Sequence, residues 1–505
     1  MTALLAHPRL GLALRVAAGL VGLQLLAMGI GFLLFPEVLA MALFAAEPAR
    51  AVGISSLRGD FGGLFLGMGF FTLLGSFSRH RWLLTIPAVF LAMVVTGRLI
   101  SAAVDDVPLV MSDAIVAELL FTTLLALAVG AHAARFGGAD IGPLRAVFTR
   151  RVAATVACVA AVVALGLATE RATGRFLLQV VASQRVRQDL VERLPDGLHV
   201  ALAGTGSPMA DARRRGGSSV VVAGSHLFVV DSGPGSTLTL ESMFVPLGTL
   251  DAVLLTHLHS DHIGGLGELL LKAWTTGART EPLRVMGPEG VDTLVKGFNL
   301  AYREDSRLRI AHHGDRVAPA SGAGGLPETI TGFDAKGATV IFAQDDVTVT
   351  AFLVDHRPAI PALAYRFDYK GRSLVISGDT LPTESMREHA RDVDLLVHEV
   401  LQPDLLRVVN RAAGDQDEHV AEAVTTDILT YHTFPEEVAR IGRDANVGHL
   451  VFHHFIPQVP VRAMHGAFLG DSHQIYDGPI TMGAEGMVFS LLPDSAEVDL
   501  GWALH

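Results

Sequence analysis

Residues 252–262 read Ala252-Val253-Leu254-Leu255-Thr256-His257-Leu258-His259-Ser260-Asp261-His262, and the reading of this stretch decides the fold. A short apolar run of strand length is followed at once by three imidazoles and a carboxylate within six residues. Side chains at a strand end sit where the chain must turn, and Gly264-Gly265 just beyond makes that turn easier, so the four polar groups can converge from two sides. Imidazole nitrogen and carboxylate oxygen suit Zn²⁺ and similar ions. The single cysteine, Cys158, lies inside an apolar run, which excludes a disulfide framework or a thiolate metal cluster within one chain. Any metal site must use His and carboxylates.

Outward from this stretch, residues 198–505 alternate short β-rich runs with Gly, Pro and Asp, the runs starting at His199, Ser219, Leu227, Val347, Leu363 and Ser373. Helical spacing falls between them near Gly267 to Ala273, Gly290 to Tyr302, Pro382 to Ala390 and His419 to Thr430. Strands mixed with helices predict an α/β layered domain. Ala318 to Gly325 reads as a surface loop, and residues 171–197 as an amphipathic connector that Pro195-Asp196-Gly197 brings to an end.

The motif His257-x-His259-x-Asp261-His262 resembles the signature of the metallo-β-lactamase superfamily, over roughly His199 to the C-terminus. Later motifs follow in the family's order: Val354-Asp355-His356, Ser377-Gly378-Asp379-Thr380 and Val451-Phe452-His453-His454-Phe455. The resemblance implies a four-layer αβ/βα sandwich with two Zn²⁺ ions, or other divalent transition metals in their place. One ion would be held by His257, His259 and His356, the other by Asp261, His262 and His454 rather than His453, with Asp379 bridging. Asp231 resembles the family carboxylate that orients a ligand histidine. Within the superfamily, Gly204-Thr205-Gly206-Ser207-Pro208, Gly287-Pro288-Glu289-Gly290, His398-Glu399 and Tyr431-His432-Thr433 resemble the ribonuclease Z and zinc arylsulfatase branch. That likeness implies that His432, oriented by Glu399, donates a proton to the leaving oxygen, with Asp261 in the reaction centre beside them. The same likeness leads us to expect Glu399 to make His432 easier to protonate.

In one respect the chain departs from ribonuclease Z. Tyr365 to Ser373 runs straight through, where the bacterial enzymes insert an arm that grips tRNA. With 39 Lys+Arg against 51 Asp+Glu and a net charge of −12, phosphate neutralisation is a poor basis for holding nucleic acid. The expectation is therefore a hydrolase of sulfate or phosphate esters acting on a small molecule, with nucleic acid not a partner. The alternatives are an endoribonuclease of the ribonuclease Z type and a non-catalytic membrane sensor. Nothing in the sequence fixes an oligomeric state.

Residues 1–170 have a different character. Five apolar stretches, Val16 to Phe35, Phe61 to Phe77, Trp82 to Gly97, Ala114 to Ala131 and Val152 to Thr169, approach the roughly 20 residues that span a bilayer. A signal peptide explains the first and none of the others. An integral membrane region results, with the lipid bilayer as partner. Eight Arg in the tail and even-numbered loops against three in the odd-numbered ones favour a cytoplasmic N-terminus, with Arg171, Arg175, Arg185 and Arg187 narrowing the margin to eight against seven, and five crossings put the catalytic domain outside. Arg58, Asp60, Arg98 and Glu118 resemble the pattern of a small four-helix membrane family of unknown function.

Overall fold

The computed structural model describes residues 8–34, 61–77, 82–104, 113–136, 175, 178–179, 182–183, 188–211, 213–459 and 464–504. The chain divides into two units, Met1–Val181 and Ala182–His505.

In the first unit the described residues form helices Pro8–Leu34, Gly63–Phe77, Trp82–Val104 and Asp113–Phe136. The first two touch at glycines: a Cβ on Gly69 would lie 2.6 Å from the Leu26 nitrogen, and one on Gly29 would lie 2.7 Å from the Leu66 nitrogen. Backbone contact this close is how helices pack without water to drive them together. Thr72 and Ser76 are buried at this crossing, with the Ser76 hydroxyl donating to the Thr72 carbonyl at 2.8 Å. Leu12, Val16, Leu20, Leu23 and Ile30, at helical spacing, are 50–62% exposed. Among the described residues one helix, Leu10–Phe32, is long and apolar enough to cross a membrane by length and composition, and Gly63–Phe77, Trp82–Thr96 and Leu120–Ala131 are shorter apolar helices. The expected fifth stretch with Cys158, part of the connector, Arg58, Asp60 and the side chains of Arg98 and Glu118 lie outside the described residues.

The second unit is built on two sheets. The eight-stranded sheet contains β1 (Leu198–Gly204), β2 (Ser218–Ala223), β3 (His226–Val230), β4 (Ala252–Leu254), β5 (Leu283–Gly287), β6 (Gly325–Thr329), β14 (Met487–Leu491) and β15 (Asp499–Trp502), in the order β15-β14-β1-β2-β3-β4-β5-β6. The seven-stranded sheet contains β7 (Ala338–Gln344), β8 (Val347–Val354), β9 (Ala362–Tyr369), β10 (Arg372–Ile376), β11 (Leu395–Leu401), β12 (His449–Ile456) and β13 (Ile480–Met482), in the order β13-β12-β11-β10-β9-β8-β7. Side chains alternate across a strand, and β3 shows the consequence. Phe228 and Val230 enter the core between the sheets with Tyr365, Phe367 and Ile376. Leu227 and Val229 face the other way, under helix Leu266–Gly277 with Leu269 and Ala273. The second sheet is covered in the same way, Leu396 and Phe452 meeting Val438 and Ile441 of helix Pro435–Asp444. Strands buried on both faces read as unbroken apolar runs, and the result is the four-layer αβ/βα sandwich.

Among the helices of ten or more residues described in this unit, three exceed the sequence expectation. Arg303–His313 buries no residue, so it carries no apolar stripe to read, and Pro403–Gly414 buries only Leu406. Pro435–Asp444 starts with Pro at its first turn and Glu437 reaching back to the Phe434 N–H at 3.0 Å, a start signal legible in the sequence. The 318–325 segment is no simple surface loop: Ala318 is buried and the Trp274 indole N–H donates to the Pro319 carbonyl at 2.8 Å. The β9–β10 connection is the turn Lys370-Gly371, both at positive φ, with no arm between the strands.

Candidate metal centre

The carboxyl ends of β4, β8, β10, β11 and β12 bring the polar motifs together. His257 and His259 follow β4, Asp261 and His262 lie in the single-turn helix Ser260–Ile263, His356 follows β8, Asp379 follows β10, Glu399 is in β11 and His454 in β12. Two backbone devices aim these groups. Across β11 and β12 the register shifts so that Glu399 pairs with His453 and Val400 with Phe455, leaving His454 as a bulge at φ 51°. A non-glycine residue in that region costs on the order of 1–3 kcal/mol and persists only where its surroundings dictate it. Gly378, at φ 57°, is held where a Cβ would lie 2.7 Å from the Thr256 Cβ, so only glycine fits before Asp379.

Two groups of donors result, His257 with His259 and His356, and Asp261 with His262, Asp379 and His454. Asp379 Oδ2 is 3.3 Å and 3.5 Å from Nε2 of His262 and His454, and 3.9 Å from Nε2 of both His257 and His356. It therefore stands between the groups. Its Oδ1 is buried without a partner. Burial alone would raise the Asp379 carboxyl, but the imidazoles of His454 and His262 outweigh it and hold it well below the usual carboxylate range.

The proton positions follow from which partners can only accept. Asp231 Oδ2 takes the His262 Nδ1–H at 2.8 Å and the Thr256 hydroxyl at 2.7 Å, while Oδ1 takes the Thr256 N–H at 2.8 Å. With its proton committed, the Thr256 hydroxyl accepts from His257 Nδ1–H at 3.1 Å. One carboxylate thus sets the tautomer of a histidine in each group. His356 Nδ1–H donates to the Tyr431 carbonyl at 3.0 Å, so its Nε2 also faces inward as a lone pair.

The inward nitrogens converge. His262 Nε2 and His454 Nε2 are 3.2 Å apart, and His259 Nδ1 is 3.0 Å from His257 Nε2 and 3.2 Å from His356 Nε2. With the Asp261 carboxylate 3.0 Å from His454 Nε2 as well, these nitrogens and oxygens form a donor set that a cation can occupy. This feature and the orphaned Asp379 oxygen fit a divalent metal, typically zinc.

Beside the two groups, His432 Nδ1 lies 3.2 Å from Glu399 Oε2, both residues being buried, without hydrogen-bond alignment. Glu399 Oε1 accepts the backbone N–H groups of Thr433 at 2.9 Å and Thr380 at 3.3 Å, tying the loop of Asp379 to that of His432. The expectation that Glu399 makes His432 easier to protonate is reversed. Burial pushes the Glu399 carboxyl up, with Asp379 adding to the rise, and burial pushes the His432 imidazole down, because desolvation disfavours the charge on each.

All residues proposed from the sequence as ligands or reaction groups, His257, His259, Asp261, His262, His356, Asp379, Glu399, His432 and His454, lie in this cluster. His453 is buried, with neither ring nitrogen partnered, and is pushed down to about 3 by burial. His312 and His313 sit at the exposed end of helix Arg303–His313, apart from it. The sequence reading gave no role to the Thr256 hydroxyl or the Tyr431 carbonyl. The first was open to inference from its place just before His257; the second, a backbone atom, leaves no sequence signal.

Known families match parts of both units. Residues 212–426 match the family described as the metallo-beta-lactamase superfamily, and residues 13–129 match a domain of unknown function, DUF4345. Ribonuclease Z of Mycobacterium bovis (strain BCG / Pasteur 1173P2) is 36% identical over 264 residues, covering 52% of this chain and 87% of the relative. Ribonuclease Z of Mycobacterium sp. (strain KMS) is 36% identical over 263 residues, covering 52% and 85%. Among solved structures, the metallo-beta-lactamase fold protein YhfI from Bacillus subtilis is 19% identical with a TM-score of 0.42, over 59% of this chain and all of that one. Human tRNase Z, short form, is 21% identical with a TM-score of 0.39, over 57% and 98%. The expectation of a small-molecule ester substrate with nucleic acid excluded is corrected by the curated relatives, which are ribonucleases. Net charge is a poor guide to what a site binds, because it says nothing of how charge is distributed over the surface. The chain belongs to the metallo-β-lactamase superfamily, in the ribonuclease Z family, and is a metal-dependent hydrolase of ester bonds.

Proposed function

We propose that the second unit is a two-metal phosphodiesterase that cuts RNA. The observation that carries this reading is Asp379 Oδ2, which lies within 3.9 Å of four imidazole nitrogens from two donor groups, in a chain whose 36% identical relatives are ribonucleases. His257, His259 and His356 would hold one ion and Asp261, His262 and His454 the other, with Asp379 shared between the two groups. Zinc held there would supply a hydroxide near neutral pH and polarise the phosphoryl oxygens. Asp231 fixes the rings of His257 and His262 so that their Nε2 atoms face inward. Glu399 holds the loops of Asp379 and His432 together, and its carboxyl, kept protonated by burial, would pass its proton to His432 Nδ1 as the proton on Nε2 goes to the leaving oxygen. Because no arm interrupts β9 and β10, the RNA must be gripped elsewhere on the unit.

The first unit is read as embedded in the bilayer, supported by the apolar outer stripe of its first helix and the glycine contacts within. An RNA substrate requires the catalytic unit on the cytoplasmic side, and with a cytoplasmic N-terminus that means an even number of crossings in place of five. The test is turnover by purified full-length protein, with and without chelator, on tRNA precursors, bis-aryl phosphates and aryl sulfates. Chelator-sensitive cleavage of RNA is the expected result. Turnover of aryl sulfates with none of RNA would sink the proposal.

A further inference from the structure

We infer that Arg214 is a positioning residue for His454, holding the β12 bulge in place from outside the donor cluster. The inference rests on the reading of His454 as a metal ligand. Two segments grip β12 on either side of the bulge. The Gly483 N–H donates to the Phe452 carbonyl at 2.7 Å before it, and the Phe455 N–H donates to the Thr205 carbonyl at 3.2 Å after it. Arg214 joins the two grips. Its Nη1 donates both to the Thr205 hydroxyl and to the Gly483 carbonyl, the latter at 2.9 Å. The guanidinium carbon also lies 4.3 Å from the centre of the Phe455 ring, over the residue that follows His454. Glu485 completes the clamp, its Oε1 accepting the N–H groups of Thr205 at 3.0 Å and Arg215 at 2.9 Å.

The need for a clamp comes from His454 itself. It stands at φ 51° in a bulge that the ladder does not pair, so neither the sheet nor local preference keeps it there. Of the contacts described, Arg214 is the side chain that reaches Thr205, Gly483 and Phe455 together. Lysine is a poor replacement, because an ammonium on a flexible stem lacks the planar face that lies over the Phe455 ring while Nη1 bonds its two acceptors.

Full-length Arg214→Lys and Arg214→Met variants test this by two readouts, with Val295→Ala, a core truncation in helix Val291–Ala301, as a control for general loss of stability. In metal-free protein, exchange of the Phe455 amide should speed up at least about tenfold in both variants and stay at the parental rate in the control. In zinc titrations the ion at His262 and His454 should bind about tenfold to a hundredfold more weakly, with the ion at His257, His259 and His356 unchanged. Parental exchange at Phe455, or parental affinity for both ions, in the Arg214 variants would overturn the inference. If Phe455 responds but the parental protein takes up no ion at His262 and His454, it is the ligand reading that fails.

Discussion

Both units bury apolar side chains, Leu14, Leu25, Phe32 and Leu84 among them in the helical unit, and they differ in what lies beside and outside that core. In the sandwich, Leu254, Val229 and Phe367 are essentially inaccessible. In the helical unit Leu12, Val16, Leu20, Leu23 and Ile30 point outward, while Thr72, Ser76 and the crossing glycines are inside. The helical unit thus carries apolar side chains both inside and out, the arrangement that our reading of it as lipid-embedded calls for. A water-facing unit hides apolar area, whereas a lipid-facing one gains nothing by hiding it and packs through small residues instead. The functional groups follow this division, since among the described residues every candidate metal donor group lies in the sandwich.

The comparison breaks first if chemistry does not reside in the sandwich alone. Asp379→Ala removes the one oxygen shared by both donor groups, and turnover should fall by about a thousandfold or more, several kcal/mol of lost charge stabilisation. Zinc content by elemental analysis should fall with it, and undiminished zinc would defeat the assignment. His432→Ala should keep both ions. It should lose about a hundredfold on unactivated phosphodiesters and far less on nitrophenyl esters, whose leaving groups need no proton. Equal loss on both would remove the general-acid role.

Much of this contrast was legible in the sequence, for unequal reasons. The sandwich strands are buried on both faces, so their apolar runs stood out, and ligand motifs at strand ends stood out in turn. The bulge at His454 was not legible, since the left-handed backbone arises from tertiary grips on Phe452 and Phe455 and the sequence there reads as plain strand. Helix Arg303–His313 escaped notice because it buries nothing and so has no period. The direction of the His432 shift was missed because pairing with Glu399 was read without the burial of both.

Asp231 gives a sharper test of how far one carboxylate controls the centre. Asp231→Asn keeps the shape but puts an amide where His262 Nδ1–H or the Thr256 hydroxyl needs an acceptor, disturbing a tautomer in each donor group. Affinity for both ions should fall by about tenfold to a hundredfold in zinc titrations, with turnover at saturating zinc reduced less than by the loss of Asp379. Thr256→Val cuts only the branch to His257, so its effect should be confined to the ion at His257, His259 and His356. A uniform effect of Thr256→Val on both ions would show that the two donor groups are not separately addressed.

The smallest effect on catalysis should come from the helical unit, and it decides what that unit faces. Leu20 lies near the middle of Leu10–Phe32 and is 62% exposed. If water bathes this surface, Leu20→Lys is a surface change worth less than about 0.5 kcal/mol and should improve solubility. If lipid bathes it, a lysine at mid-helix costs roughly 2.5–3.5 kcal/mol in insertion, and the variant should be depleted from the membrane fraction relative to the parent. The expected outcome is that depletion, with turnover per zinc-loaded molecule unchanged, because no donor group involves this helix. A soluble, better-expressed variant with the same turnover would mean that the apolar stripe is not lipid-facing, and its exposure would have to be explained by a protein partner.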